Sequence, residues 1–170
     1  MQVKLPTLYE MGVSPLGQKP HAVSVENILE CLKDPRQATV VAGAKTVGLH
    51  RSQQGQIEQR ETTYQKRTRT VNTNQGRTNT VEYTPYKNGQ SFEAWPAVLS
   101  GDTISLRYAF SYSGVRHAEQ DDGETPPDTV SWSWNGPVSV NVGEPAIVGA
   151  AQDEGSAVFL ILTAHIANRP

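Results

Sequence analysis

Cysteine is almost absent from this chain, and its charges are sparse. Cys31 is the single cysteine in 170 residues, which excludes an internal disulfide. It falls beside Leu32 in a helical pattern and is expected to pack as a small hydrophobe. The four histidines are His21, His50, His117 and His165. None stands at ligand spacing from another or from Cys31, so no zinc site is expected. Asp121-Asp122-Gly123-Glu124 lacks the alternating acidic ligands of a calcium loop and reads as a solvated acidic loop. There is no glycine-rich phosphate loop and no nucleophile elbow. No catalytic, cofactor-binding or metal-binding residue is assigned, and the chain reads as a non-enzyme. No apolar run approaches the roughly twenty residues of a membrane helix. The opening Met1-Gln2-Val3-Lys4-Leu5-Pro6 lacks the apolar stretch of a secretory signal, which points to the cytoplasm if Met1 is the native start.

Charged residues make up only 19% of the chain, and the net charge is −2. The distribution is uneven. Residues 51–90 hold seven Lys/Arg against three Asp/Glu, a local +4, whereas residues 91–170 hold three against ten, a local −7. Such a split suits two solvated surfaces of opposite sign, or a head-to-tail contact between identical subunits.

What the sequence does have is strand patterning. Over residues 103–112, Ile104, Leu106, Tyr108, Phe110 and Tyr112 alternate with Thr103, Ser105, Arg107, Ala109 and Ser111. Successive strand side chains point to opposite sides, so this predicts a strand with one buried face. Val130, Trp132 and Trp134 alternate with serines, as do Val138, Val140 and Val142 with Ser139 and Asn141. Residues 158–162 are all apolar, as in a strand buried on both faces. Residues 2–8 suggest a short strand interrupted by Pro6, and residues 38–49 a small-residue strand broken by Gly43 and Gly48.

One helix is expected. Ser24 can cap it and Glu26 suits its first turn. Val25, Ile28, Leu29 and Leu32 share a face, and Pro35 stops it. Its apolar face is expected to cover the Ile104, Leu106, Tyr108 and Phe110 side of the alternating strand.

Residues 57–86 are polar, Thr-rich and basic. They read as a long hairpin with two polar faces, residues 62–73 and 77–84 flanking a turn at Asn74-Gln75-Gly76. Asn88-Gly89 signals another turn, with a strand over 91–99 containing Pro96. Ser100-Gly101-Asp102 is a turn, residues 119–128 an acidic loop, and Gly143 and Pro145 separate the last two strands. The fold class that follows is mainly β, a β-rich α+β chain. It is a mostly antiparallel sheet or sandwich with one packed helix and a long polar hairpin, in a single domain over 1–170.

The order of these elements resembles the C-terminal domain of secretins, the ring-forming proteins of type II and type III secretion systems. The resemblance rests on seven features. A short helix comes first, followed by Val40-Val41-Ala42-Gly43-Ala44-Lys45-Thr46-Val47. Gly89-Gln90-Ser91-Phe92-Glu93-Ala94-Trp95-Pro96 is next, then the Gly-Asp strand over 101–108. Ser111-Tyr112-Ser113-Gly114 and the strand pair over 138–149 lead to an apolar terminal strand over 158–166. The likeness spans about residues 24–166. The polar segment 51–88 is longer than that pattern, Gly43-Ala44 stands where Ala-Pro is usual, and no outward apolar band of a bilayer-spanning barrel is evident.

The resemblance implies a structural subunit of a homo-oligomeric ring or channel for macromolecular export, alongside other secretion-system components. It further implies the outer membrane or periplasm if the chain belongs to a larger exported secretin. Lys66, Arg67, Arg69, Arg77, Tyr83, Trp132 and Trp134 are the candidate subunit-interface residues. Two alternatives remain. One is another self-assembling β protein, such as a phage tail, capsid or surface-layer subunit. The other is a monomeric nucleic-acid or glycan-binding module. Lys66, Arg67, Arg69, Arg77 and Lys87 lie near Tyr64, Tyr83 and Tyr86, which could bind a strand by charge and stacking. The pI near 6.1 and the acidic C-terminal half weigh against nucleic acid as a partner.

Overall fold

A computed structural model describes residues 1–13, 24–47, 55–73, 76–95, 97–116, 128–153 and 155–166. It is built from two mostly antiparallel sheets with short helices against one of them. Pro96, His21, His50, His117 and residues 119–127 of the expected acidic loop lie outside the described residues, as does Asn74-Gln75; Asp128, expected to end that loop, begins a strand.

The first sheet is assembled from the two ends of the chain. β1 (Gln2–Lys4) pairs with β2 (Ala38–Thr39) on one side and β9 (Ser156–Thr163) on the other, and β9 pairs with β8 (Pro145–Gln152). β9 is therefore interior to its sheet, which explains its unbroken apolar run; Ala157, Val158 and Phe159 are all buried. The strand expected over residues 2–8 ends at Lys4. Helix α1 (Leu5–Glu10) follows, with Pro6 in its first turn. Proline is tolerated there because the first helical N–H groups have no partner in any case. The described residues thus hold two short α-helices where the sequence suggested one.

Helix α2 (Val25–Glu30) starts where expected, Ser24 Oγ accepting from the Asn27 amide at 3.4 Å. It tightens into a 3-10 turn (Cys31–Lys33) before Pro35. Its packing corrects the sequence reading. Ile28 joins Val3, Leu5, Leu8, Cys31, Ala38, Ala157 and Phe159 in one buried cluster, so the helix lies on the first sheet and not on the alternating strand over 103–112. The apolar side of that strand finds a different cover, and sequence periodicity does not name the partner. The strand expected over 38–49 also shrinks to Ala38–Thr39, and residues 40–47 have no regular structure.

The second sheet is a meander. β3 (Gly55–Thr73), β4 (Gly76–Ala94), β6 (Thr103–Arg116) and β7 (Asp128–Asn141) lie side by side, each antiparallel to the next. β5 (Val98–Ser100) continues the line of β4 along β6. Trp95 holds the junction by donating its amide to the Arg107 carbonyl at 2.9 Å. Gly101, with φ +59°, turns the chain into β6 as expected.

Asn88-Gly89, by contrast, is no turn: both residues sit inside β4. Gly89 is required there by proximity, because a Cβ would lie 2.3 Å from the Gln59 carbonyl oxygen.

The two sheets meet through β8. A bulge between Ile147 and Gly149 leaves Val148 out of the ladder. The Tyr108 hydroxyl donates to its carbonyl at 2.6 Å. Trp134 lies over Gly149, where a Cβ would stand 2.5 Å from the indole ring. Burial raises the Tyr108 phenol above its ordinary range.

Candidate functional site

The register of the second sheet sorts its side chains into two faces. Strands alternate, and β3 pairs with β4 over nineteen consecutive residues without a bulge. One face carries the row Ile57, Phe92, Phe110 and Trp134, and beside it Gln59, Gln90, Tyr112 and Trp132. Phe110 and Trp134 stack with centroids 6.2 Å apart, Tyr112 and Trp132 at 5.1 Å. Gln90 Nε2 donates to the Gly43 carbonyl at 2.9 Å and to Gln59 Oε1 at 3.0 Å, so residues 40–47 cross the base of the hairpin on this side. The other face is lined by small hydroxyls. Ser91 and Ser111 share a hydrogen bond of 2.8 Å, as do Ser105 and Ser139.

The hairpin leaves the body of the sheet at residue 88. β4 pairs with β6 only over residues 89–94, so residues 76–88 have β3 as their sole ladder partner. At about 3.3 Å per residue, that two-stranded ribbon extends for roughly 40 Å. Its described side chains are exposed apart from Gln65, Tyr86 and Asn88, which are half-buried. The two faces differ in charge. Arg67 and Arg69 share one with Glu61, Glu82 and Tyr86, a balanced set, and the Tyr86 hydroxyl donates to Gln65 Oε1 at 3.1 Å. Arg60, Lys66, Arg77 and Lys87 occupy the other with Tyr64, Tyr83 and Pro85. Glu58 and Glu93 are the carboxylates there, both at the base; Arg60 takes Glu58, Nε donating at 2.6 Å, and Gln56 Nε2 donates to Glu93 at 3.4 Å.

The candidate interface residues therefore do not form one patch. Lys66, Arg77 and Tyr83 are together on one hairpin face, and Arg67 and Arg69 are on the opposite one. Trp132 and Trp134 are in the body of the sheet, committed to stacks within the chain. The sequence grouped Lys66, Arg77, Lys87, Tyr64 and Tyr83 with Arg67, Arg69 and Tyr86, and missed the division that puts the last three on the opposite face. Its signal was present in the even spacing of Tyr64 and Lys66, yet which residues of the second arm join them depends on the register.

Cys31 packs as expected: it is 4% exposed, its thiol donates to the Asn27 carbonyl at 3.4 Å, and burial pushes the thiol pKa up. Among the described residues no group of three or more His, Cys, Asp or Glu is placed to hold a metal ion. No described helix is long and apolar enough to cross a membrane.

No protein-family model, curated protein or solved structure matches the chain. The edges of the second sheet are the other feature with functional content. Among the described residues β3 is paired on one side only, along its whole length, and β7 likewise. Unpaired N–H and C=O groups in a long row are a template for a further strand.

Proposed function

We propose that this protein is a structural subunit of a secretin-like homo-oligomeric ring or channel, its subunits joined edge to edge. The observation that supports this reading most is that the four-strand meander has two open edges, the nineteen-residue β3 on one side and β7 on the other. Four antiparallel strands make the outer two run in opposite directions. A neighbour related by simple rotation would then bring its β7 antiparallel to β3, the arrangement an antiparallel ladder needs. Such a contact is heterologous and closes when the rotation completes a circle, covering the β3 and β7 edges.

The polar hairpin fits this role. A two-stranded ribbon is marginal alone in water, and neighbours on both sides would steady it. Its faces carry Lys, Arg, Glu and Thr in place of a lipid-facing apolar band, so in the assembly it would border an aqueous space. The likeness to the secretin pattern over residues 24–166 supplies the ring as the form of closure.

The test is particle imaging and sedimentation of the purified chain, beside a variant in which residues 62–84 are replaced by a short Gly-Ser linker. Rings from the intact chain and a folded monomer from the variant are expected. A monomeric intact chain at every concentration would overturn the reading. Rings from the deletion variant would remove the hairpin from the contact.

A further inference from the structure

We infer that the Lys66–Tyr83 face of the hairpin is a binding platform for single-stranded nucleic acid. The inference stands apart from assembly, because one copy presents the whole face.

Four cations share this face with two carboxylates, a net +2; Arg60 takes Glu58, and Glu93, at the base of the hairpin, accepts from Gln56 Nε2 at 3.4 Å. Lys66, Arg77 and Lys87 make no ion pair among the described residues. Their charge is therefore available to phosphates, whose neutralisation releases counterions. The acidic balance of the whole chain argued against such a partner. The register removes that objection locally, since Glu61 and Glu82 turn to the opposite face and Glu58 and Glu93 lie at the base of the hairpin, away from Lys66 and Tyr83.

Charge alone would fit any polyanion; the tyrosines narrow the choice. Tyr64 and Tyr83 are 63% and 62% exposed, unusual for rings that no core requires. Lys66 sits directly opposite Tyr83 and next along the same face from Tyr64. Directly paired side chains lie roughly 5 Å apart and diagonal ones about 7–8 Å. The ammonium is thus flanked by two open ring faces. Unpaired bases stack on such rings irrespective of sequence while the backbone follows the cations. A duplex keeps its base faces inside its own stack, and an acidic peptide has no flat rings to offer. Pro85, opposite Tyr64, and Val81, opposite Thr68, extend the contact strip without adding negative charge.

The test is fluorescence anisotropy with a labelled oligo-dT 20-mer, run across a salt series. Saturable binding that weakens as salt rises is expected. Tyr64→Ala and Tyr83→Ala should each weaken it roughly five- to 150-fold, the worth of one stacked base. Tyr64→Phe and Tyr83→Phe should retain it, which separates stacking from folding. Reversing Lys66 and Lys87 to Glu should lower the slope of log K against log salt by about 1.4, at ~0.7 per phosphate contact. Arg67→Glu with Arg69→Glu, on the opposite face, should leave the tyrosine dependence intact. The inference is overturned by no binding to the oligonucleotide, or by equal losses from the two faces. It also fails if duplex DNA, polyglutamate or phosphatidylserine vesicles bind as tightly as the oligonucleotide.

Discussion

At the scale of single residues, two contacts fasten the second sheet to β8, and each makes a prediction. Trp134 occupies the space that a side chain at position 149 would need. Gly149→Ala should displace the indole and cost about 1–3 kcal/mol, the usual penalty for overfilling a packed site. Denaturant titration would measure the loss, and a change in tryptophan emission would locate it. The Tyr108 hydroxyl is the other contact, donating to Val148. Tyr108→Phe should cost about 1 kcal/mol at pH 8, a typical net hydrogen-bond contribution. That difference depends on pH. Burial raises the folded-state phenol pKa, so above the ordinary tyrosine value near 10 the unfolded chain gives up its proton first. The unfolded state then binds fewer protons, and stability falls as pH rises. The wild type should lose its advantage over Tyr108→Phe above pH ~10. Parallel denaturation curves at pH 8 and pH 10.5 would check this.

At the scale of elements, the helix and the hairpin show where sequence reading reaches and where it stops. Ser24 announced the helix start because a cap is a local hydrogen bond. The alternation of Ile104, Leu106, Tyr108 and Phe110 announced a one-sided strand for the same local reason. What covers that strand was not legible, since any apolar face is a possible partner for any other. Ile28 in fact belongs to the buried cluster that includes Phe159 and Ala157. Ile28→Ala should therefore cost about 2–5 kcal/mol. Leu106→Ala should cost less, because Leu106 is only half-buried. Urea midpoints of the two variants decide the order. The hairpin was foreseen as polar, but its reach was underestimated, because Asn88-Gly89 has the composition of a turn. Its glycine answers to the approach of the Gln59 carbonyl instead. The division of its cations between faces was hidden for a related reason: a polar strand has no apolar side from which to read orientation.

At the scale of the whole molecule, charge and topology act together in the proposed ring. β6 ends at Arg116 and β7 begins at Asp128. The sequence between them holds Glu119, Asp121, Asp122 and Glu124. Through β4, Ser113 of β6 is level with Arg60 of β3. Edge-to-edge pairing would bring the acidic C-terminal half of one subunit toward the basic ribbon of the next. Each exposed pair contributes only about 0–1 kcal/mol, so several must act in concert. Raising salt from 0.1 M to 1 M shortens the screening length from about 10 Å to about 3 Å and should shift assemblies toward free subunits. Sedimentation at both salt levels would show it, and an unchanged distribution would leave backbone pairing as the whole of the contact.

The unbroken ladder of the hairpin has a consequence for how this gene can vary. Nineteen pairs run without a bulge to absorb an error. Deleting one residue near the base of either arm, if the pairing simply closes up, turns over every side chain of that arm from there to the tip. Lys66 and Tyr64 would then trade sides with Arg67 and Gln65, although no residue identity had changed. Losses of two residues from each arm would shorten the ribbon and keep its sides intact. Length variation among descendants of this sequence should therefore come in even, matched steps.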